Sequence, residues 1–75
     1  MIKLPLTSRE EDIYIYIMGY IVDNGYSPTR QEIANQFKFS PTASQKFLDS
    51  LEAKGRIRLI KKEGKRLNRN IVLKK

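Results

Sequence analysis

Cysteine and histidine are both absent from these 75 residues. That excludes a disulfide framework, a zinc staple and any mechanism built on a thiol or imidazole. The longest apolar run, "IYIYIMGYIV" at 13–22, is roughly half of what crosses a bilayer. No charged-then-apolar leader with a small-residue cleavage site precedes it. There is no nucleotide-binding glycine loop, and carboxylates cluster only at a helix start, so no catalysis, cofactor, metal or small-molecule ligand is expected. The expectation is a soluble, cytoplasmic, non-enzymatic chain without a membrane partner. Its length makes residues 1–75 one domain, near the lower limit for a lone apolar core.

What is present in excess is positive charge, and it is lopsided. Residues 1–37 hold three basic against five acidic side chains, whereas residues 38–75 hold twelve against three. The formal net charge of +7 is therefore a basic C-terminal half on a slightly acidic scaffold. That asymmetry is the electrostatic footprint of a polyanion partner.

Three helices are signalled by their ends. Thr7 and Glu10 form a T-x-x-E capping box, acidic residues fill the first turn, and Gly25 supplies a left-handed stop. The first helix should span about 8–24, burying Ile13, Ile17, Tyr20 and Ile21 with Tyr16 beside them. "SPTRQEIANQF" repeats the grammar: Thr29 caps, Glu32 sits three residues on, and a two-turn helix runs over about 30–37. Ser40 then caps a third helix over 41–54, with Pro41 at the first helical position and Gly55 at the end.

The third helix has two faces. Ser44, Phe47, Leu48 and Leu51 share one side; Thr42, Gln45, Lys46 and Asp49 share the other. After Gly55 the period changes to two. "RIRLIK" places Ile57 and Leu59 on one face, and "NIVLK" does the same with Ile71 and Leu73. The order α-α-α-β-β is a mainly α fold with a small antiparallel β-hairpin, a winged helix-turn-helix.

In that arrangement the second helix of the pair enters the major groove, and its first residues meet base edges. The residue types suit the task. Gln45 can pair bidentately with adenine, Lys46 can donate to guanine, and Thr42 offers a hydroxyl and a methyl. The hairpin tip over 61–70 holds Lys61, Lys62, Lys65, Arg66 and Arg69, suited to phosphates and hence to positioning on the backbone. Thr29 and Arg30 add N–H groups and a charge at a helix start that also suit a phosphate. The first helix carries a second apolar stripe, Ile15, Met18 and Val22 with Gly19 beside it. This stripe is expected either to join two copies or dock a partner, or to lie under residues 1–6 or the last strand.

"LTSREEDIYIYI…NGYSPTRQEIANQF" followed by "FSPTASQKFLDSLEAKGRIRLI" resembles the N-terminal winged helix-turn-helix domain of the LexA repressor family over about residues 6 to 60. The most specific parts are L-T-x-R at 6–9, P-T-R-x-E-I-A at 28–34, S-P-x-A at 40–43 and L-x-x-L-x-x-K-G at 48–55. The resemblance implies a repressor-type module on double-stranded DNA, with Ser40, Thr42, Ala43, Gln45 and Lys46 on that family's base-reading positions.

Three departures accompany it. Lys38 stands where the family usually has glycine, in a turn one residue shorter. A lysine there either accepts a left-handed backbone at about 1–2 kcal/mol or gives the turn another shape. Gln45 and Lys46 replace an acidic reading face, which argues against the family's usual operator. The family's self-cleaving peptidase, with its serine–lysine pair, has no room in these residues, so the module is expected to lack it. A second reading, a protein-interaction module docking through the outer stripe of the first helix, is favoured by that stripe and opposed by Gln45 and Lys46.

Overall fold

The computed structural model describes residues 4–62 and 65–74, with side chains described for residues 4–61 and 69–74. Three helices, α1 (Ser8–Asn24), α2 (Arg30–Phe37) and α3 (Pro41–Ala53), precede a hairpin of β1 (Ile57–Lys62) and β2 (Lys65–Leu73). Both capping boxes form. The Glu10 amide donates to Thr7 Oγ1 at 3.2 Å and the Thr7 amide donates to Glu10 Oε1 at 2.8 Å. The corresponding distances for Thr29 and Glu32 are 3.1 Å and 2.8 Å. Ser40 Oγ accepts from the Ala43 amide at 3.1 Å, and Pro41 follows it where no amide hydrogen is needed.

The core lies where one face of each element converges. Ile13 and Ile17 of α1, Ile33 of α2, Leu48 and Leu51 of α3, and Ile57 and Ile71 of the hairpin are all buried. Tyr16 and Ile21 are half-buried against them as the helical period requires. Tyr20 lies at the margin, half-buried, with its hydroxyl donating to Glu32 Oε2 at 3.1 Å. Six aromatic rings form a chain of contacts along this margin, with centroid separations of 5.4–6.0 Å. It runs from Tyr26 through Tyr20, Tyr16, Phe37 and Phe39 to Phe47 on the back of α3.

Glu10 does more than cap. It is buried, and while Oε1 closes the box it also accepts from Lys54 Nζ at 2.5 Å; Oε2 accepts from the Ser50 hydroxyl. The start of α1 is thereby pinned to the end of α3. The Lys54 ammonium, then the Ser50 hydroxyl and the Thr7 amide, hold this carboxyl at about 2, below its ordinary 4.5.

The turn between α2 and α3 takes the strained option. Lys38 adopts φ 60° and ψ 45°, the one positive-φ non-glycine position among the described residues. The left-handed turn lets its amide, and that of Phe39, donate to the Ala34 carbonyl, so the chain reverses within two residues. At the other end of α3, Gly55 supplies the left-handed residue at φ 78°, and the Arg56 amide returns to the Leu51 carbonyl at 3.0 Å.

In the hairpin, Ile57 pairs with Leu73 and Leu59 with Ile71, so the two apolar sets share the inward face. Beyond them the register slips. Lys61 pairs with Arg66 and Lys62 with Lys65, leaving residues 67–70 of β2 opposite Ile60 alone. Simple alternation does not foresee that excess, the kind of irregularity that locally bends a strand and increases its twist.

Two outcomes test these features. Lys38→Gly is expected to raise the unfolding free energy by about 0.5–1 kcal/mol, because relief of left-handed strain outweighs the freedom that glycine gives the unfolded chain. A urea midpoint that falls instead would show the lysine to be unstrained. A carboxyl held below its ordinary value stabilises the fold fully above pH 4.5 and loses that contribution as pH falls towards about 2. Glu10→Gln should therefore cost about 1–3 kcal/mol at neutral pH. Its melting temperature should converge on that of the unmodified protein in acid, and a gap that persists at the lowest pH would refute the ionic origin.

Candidate nucleic-acid interface

The polar stripe of α3 faces outward. Ser40, Thr42, Lys46 and Asp49 are exposed, and Ala43 and Gln45 are half-buried. Ser44, Leu48 and Leu51 occupy the buried back of the same helix. The N-terminal half of α3 thus offers an uncovered row of hydrogen-bonding groups, held rigid by a packed back face. Gln45 Nε2 donates to Asp49 Oδ1 at 2.8 Å, an i,i+4 pair along this row. Asp49 accepts one amide hydrogen of Gln45, whose second amide hydrogen and Oε1 are its remaining hydrogen-bonding capacity. Asp49 is an exposed acceptor on this face that the residue-type argument placed there without assigning a task.

At the start of α2 the expectation holds only in part. Arg30 is exposed, but the Thr29 amide and hydroxyl are both engaged with Glu32 in the capping box. Arg30 is therefore the free contribution of that turn. Among the wing cations, Lys61 is exposed. The side chains of Lys62, Lys65 and Arg66 lie outside the described residues, although their backbone pairs close the hairpin.

Arg69, the other wing cation whose side chain is described, is engaged within the fold. Instead of extending towards a phosphate, its guanidinium turns back onto the helices. Nη1 donates to Glu32 Oε1 at 2.8 Å and Nη2 to Glu32 Oε2 at 3.1 Å, a bidentate pair. Nη1 also donates to the Ser27 carbonyl at 2.8 Å and to the Tyr20 hydroxyl at 3.3 Å. The guanidinium carbon stands 4.5 Å from the Tyr26 ring centroid. The Arg69 guanidinium, then the Thr29 amide, hold the Glu32 carboxyl at about 2, below its ordinary 4.5, and the pair pushes the Arg69 side chain up in turn. A signal for this was available: Arg69, Ile71 and Leu73 are spaced two apart and share the inward side of the strand.

The outer stripe of α1 stays open among the described residues. Ile15 is 54% exposed and Val22 82%, Gly19 is exposed, and Met18 is half-buried. A hollow of about 340 Å³ lies beside it, lined by Leu6, Glu11, Tyr14, Ile15, Met18 and Arg56. Residues 4–6 reach its edge, where Arg56 Nη2 donates to the Leu4 carbonyl at 3.1 Å, and among the described residues Ile15 and Val22 stay uncovered; residues 1–3 lie outside the described residues. No described helix is long and apolar enough to cross a membrane.

With this geometry in hand, comparison with known proteins is specific. Residues 3–66 match the model of the LexA DNA binding domain. The LexA repressor of Saccharophagus degradans is 43% identical over 56 residues, which are 73% of this chain and 28% of the relative. That of Colwellia psychrerythraea is 46% identical over 57 residues, 75% of this chain and 27% of the relative. The Thermotoga neapolitana repressor is 40% identical over 60 residues, 80% and 29% respectively. This chain spans under a third of the length of these relatives. A three-helix fold with a two-stranded wing, an outward polar face on α3 and a family match over most of its residues place the chain in the LexA DNA binding domain family.

Proposed function

We propose that this domain is a sequence-specific reader of double-stranded DNA that acts in transcriptional regulation, as a repressor module. In this reading α3 lies in the major groove and the wing tip follows the backbone. The observation that carries it is the row Thr42, Gln45, Lys46 and Asp49, uncovered on a helix whose opposite face is locked in the core. Gln45, held by Asp49, presents a donor and an acceptor together, the pattern that adenine's N7 and N6 require. Lys46 supplies a donor for guanine O6 or N7, and Thr42 a methyl for thymine or a hydroxyl for either pair. Ser40 and Ala43, at the helix start, complete the base-facing set. Lys61, Lys62, Lys65, Arg66 and Arg30 neutralise phosphates, which adds affinity and sets register.

The exposed Ile15 and Val22 support a further part of this reading, a pair of copies joined along the outer stripe of α1 with Met18 and Gly19. Two copies would read two half-sites, and the spacing of those half-sites would report the geometry of the pair. The same stripe is the observation that favours the second reading, a winged-helix module that docks another protein.

Selection of bound duplexes from a random pool tests the main reading. A single enriched sequence is expected, with affinity falling steeply as salt rises. Gln45→Ala should cost about 1–3 kcal/mol and relax preference at one base pair, while Lys65→Ala should weaken all sequences alike. Equal binding to scrambled DNA with a flat salt response would exclude specific readout. For the pairing, sedimentation at micromolar concentration should give a dimer that Ile15→Glu dissociates. A monomer indifferent to that substitution removes the dimer and leaves the stripe to another partner.

A further inference from the structure

The two strands of the wing join the core through buried Ile57 and Ile71, with Leu59 and Leu73 packed against them. An isolated two-stranded hairpin is marginal in water, so its direction depends on what anchors it. The register slip puts Arg69 among the four residues of β2 that lie opposite Ile60. A bulge of this kind re-aims a side chain. Here it aims the guanidinium at three neighbouring pieces of the helical body. These are Tyr20 on α1, the Tyr26–Ser27 connection, and Glu32 at the start of α2. Ser27 takes hold of the same strand twice, since its hydroxyl accepts from the Ile71 amide at 3.3 Å and its carbonyl accepts from Arg69.

An exposed ion pair is ordinarily worth little. This one differs in being bidentate, stacked on Tyr26 and shared with a backbone carbonyl, so the guanidinium has one orientation rather than many. We infer that Arg69 is a positioning residue: its fork on Glu32 latches the root of the wing to the start of the helix-turn-helix and thereby sets where the cationic tip meets DNA phosphates. Arg69 touches no phosphate itself in this arrangement. The inference rests on the DNA-binding reading above and adds to it a residue pair, Arg69 with Glu32, whose effect on DNA is indirect.

Charge counting and the latch make opposite forecasts. Glu32→Gln removes a negative charge near a polyanion, which by itself should tighten binding. Glutamine also preserves the capping box at that position. Arg69→Lys keeps the charge and loses the fork, which by itself should change nothing. The latch forecasts that both variants weaken binding about tenfold. It also forecasts a flatter dependence of log affinity on log salt, by roughly 2–4 units, because each phosphate that the tip no longer reaches takes about 0.9 off the slope. The measurement is fluorescence anisotropy on the duplex recovered from the random pool, across a salt series. Thermal melts in the same buffer give the folded fraction, and Arg69→Lys, with its charge and aliphatic stem intact, serves should Glu32→Gln unfold. A loss of stability alone lowers the active fraction without changing the salt slope. Tighter binding by Glu32→Gln with unchanged binding by Arg69→Lys overturns the latch alone. Salt-independent binding by the unmodified protein overturns the DNA-binding reading instead.

Discussion

One carboxylate joins the two parts of this domain that face outward together. Glu32 closes the amide end of α2, the first helix of the helix-turn-helix, and its same two oxygens hold the guanidinium that roots the wing. The latch on Arg69 needs the group ionised, and its surroundings keep it so well into acid. The relation between α2 and the hairpin therefore rests on a contact that is short and directional, not on apolar packing alone, which tolerates sliding.

Glu10 repeats the device on α1. It too sits three residues after a threonine cap, and it too reaches across the chain to a basic partner, Lys54 at the far end of α3. The acidic first half and basic second half are thus matched at two chosen points. Lys54 and Arg69 are consumed inside the fold, which leaves Lys46, Arg58 and Lys61 among the exposed cations of the second half. Net charge alone overstates what is free to meet a polyanion.

Much of this was readable from the residues. Helix limits followed from local signals, because a threonine with glutamate three positions on has one efficient use, and glycine after an apolar stripe has one as well. The two-faced nature of α3 followed from periodicity, which depends only on helix geometry. The wing root did not. The slip in register arises from how two strands meet and leaves no local trace; the inward side of Arg69 could be read from its spacing to Ile71, but its partner, 37 positions away, could not. Lys38 fell between these cases: the turn demanded positive φ, the residue resisted it, and only tertiary packing of α2 against α3 decides which prevails. On the candidate interface, the outward residues of α3 lie where residue type put them, whereas the Gln45–Asp49 pair depends on side-chain rotamers that residue type does not fix.

The aromatic margin has a practical corollary. Tryptophan is absent, and three of the four tyrosines, at positions 16, 20 and 26, belong to the chain of rings that begins beneath the Arg69 guanidinium. Ultraviolet emission of the unlabelled molecule therefore originates chiefly beside the root of the hairpin. Nature has placed a built-in optical gauge where swinging of that hairpin would first be felt.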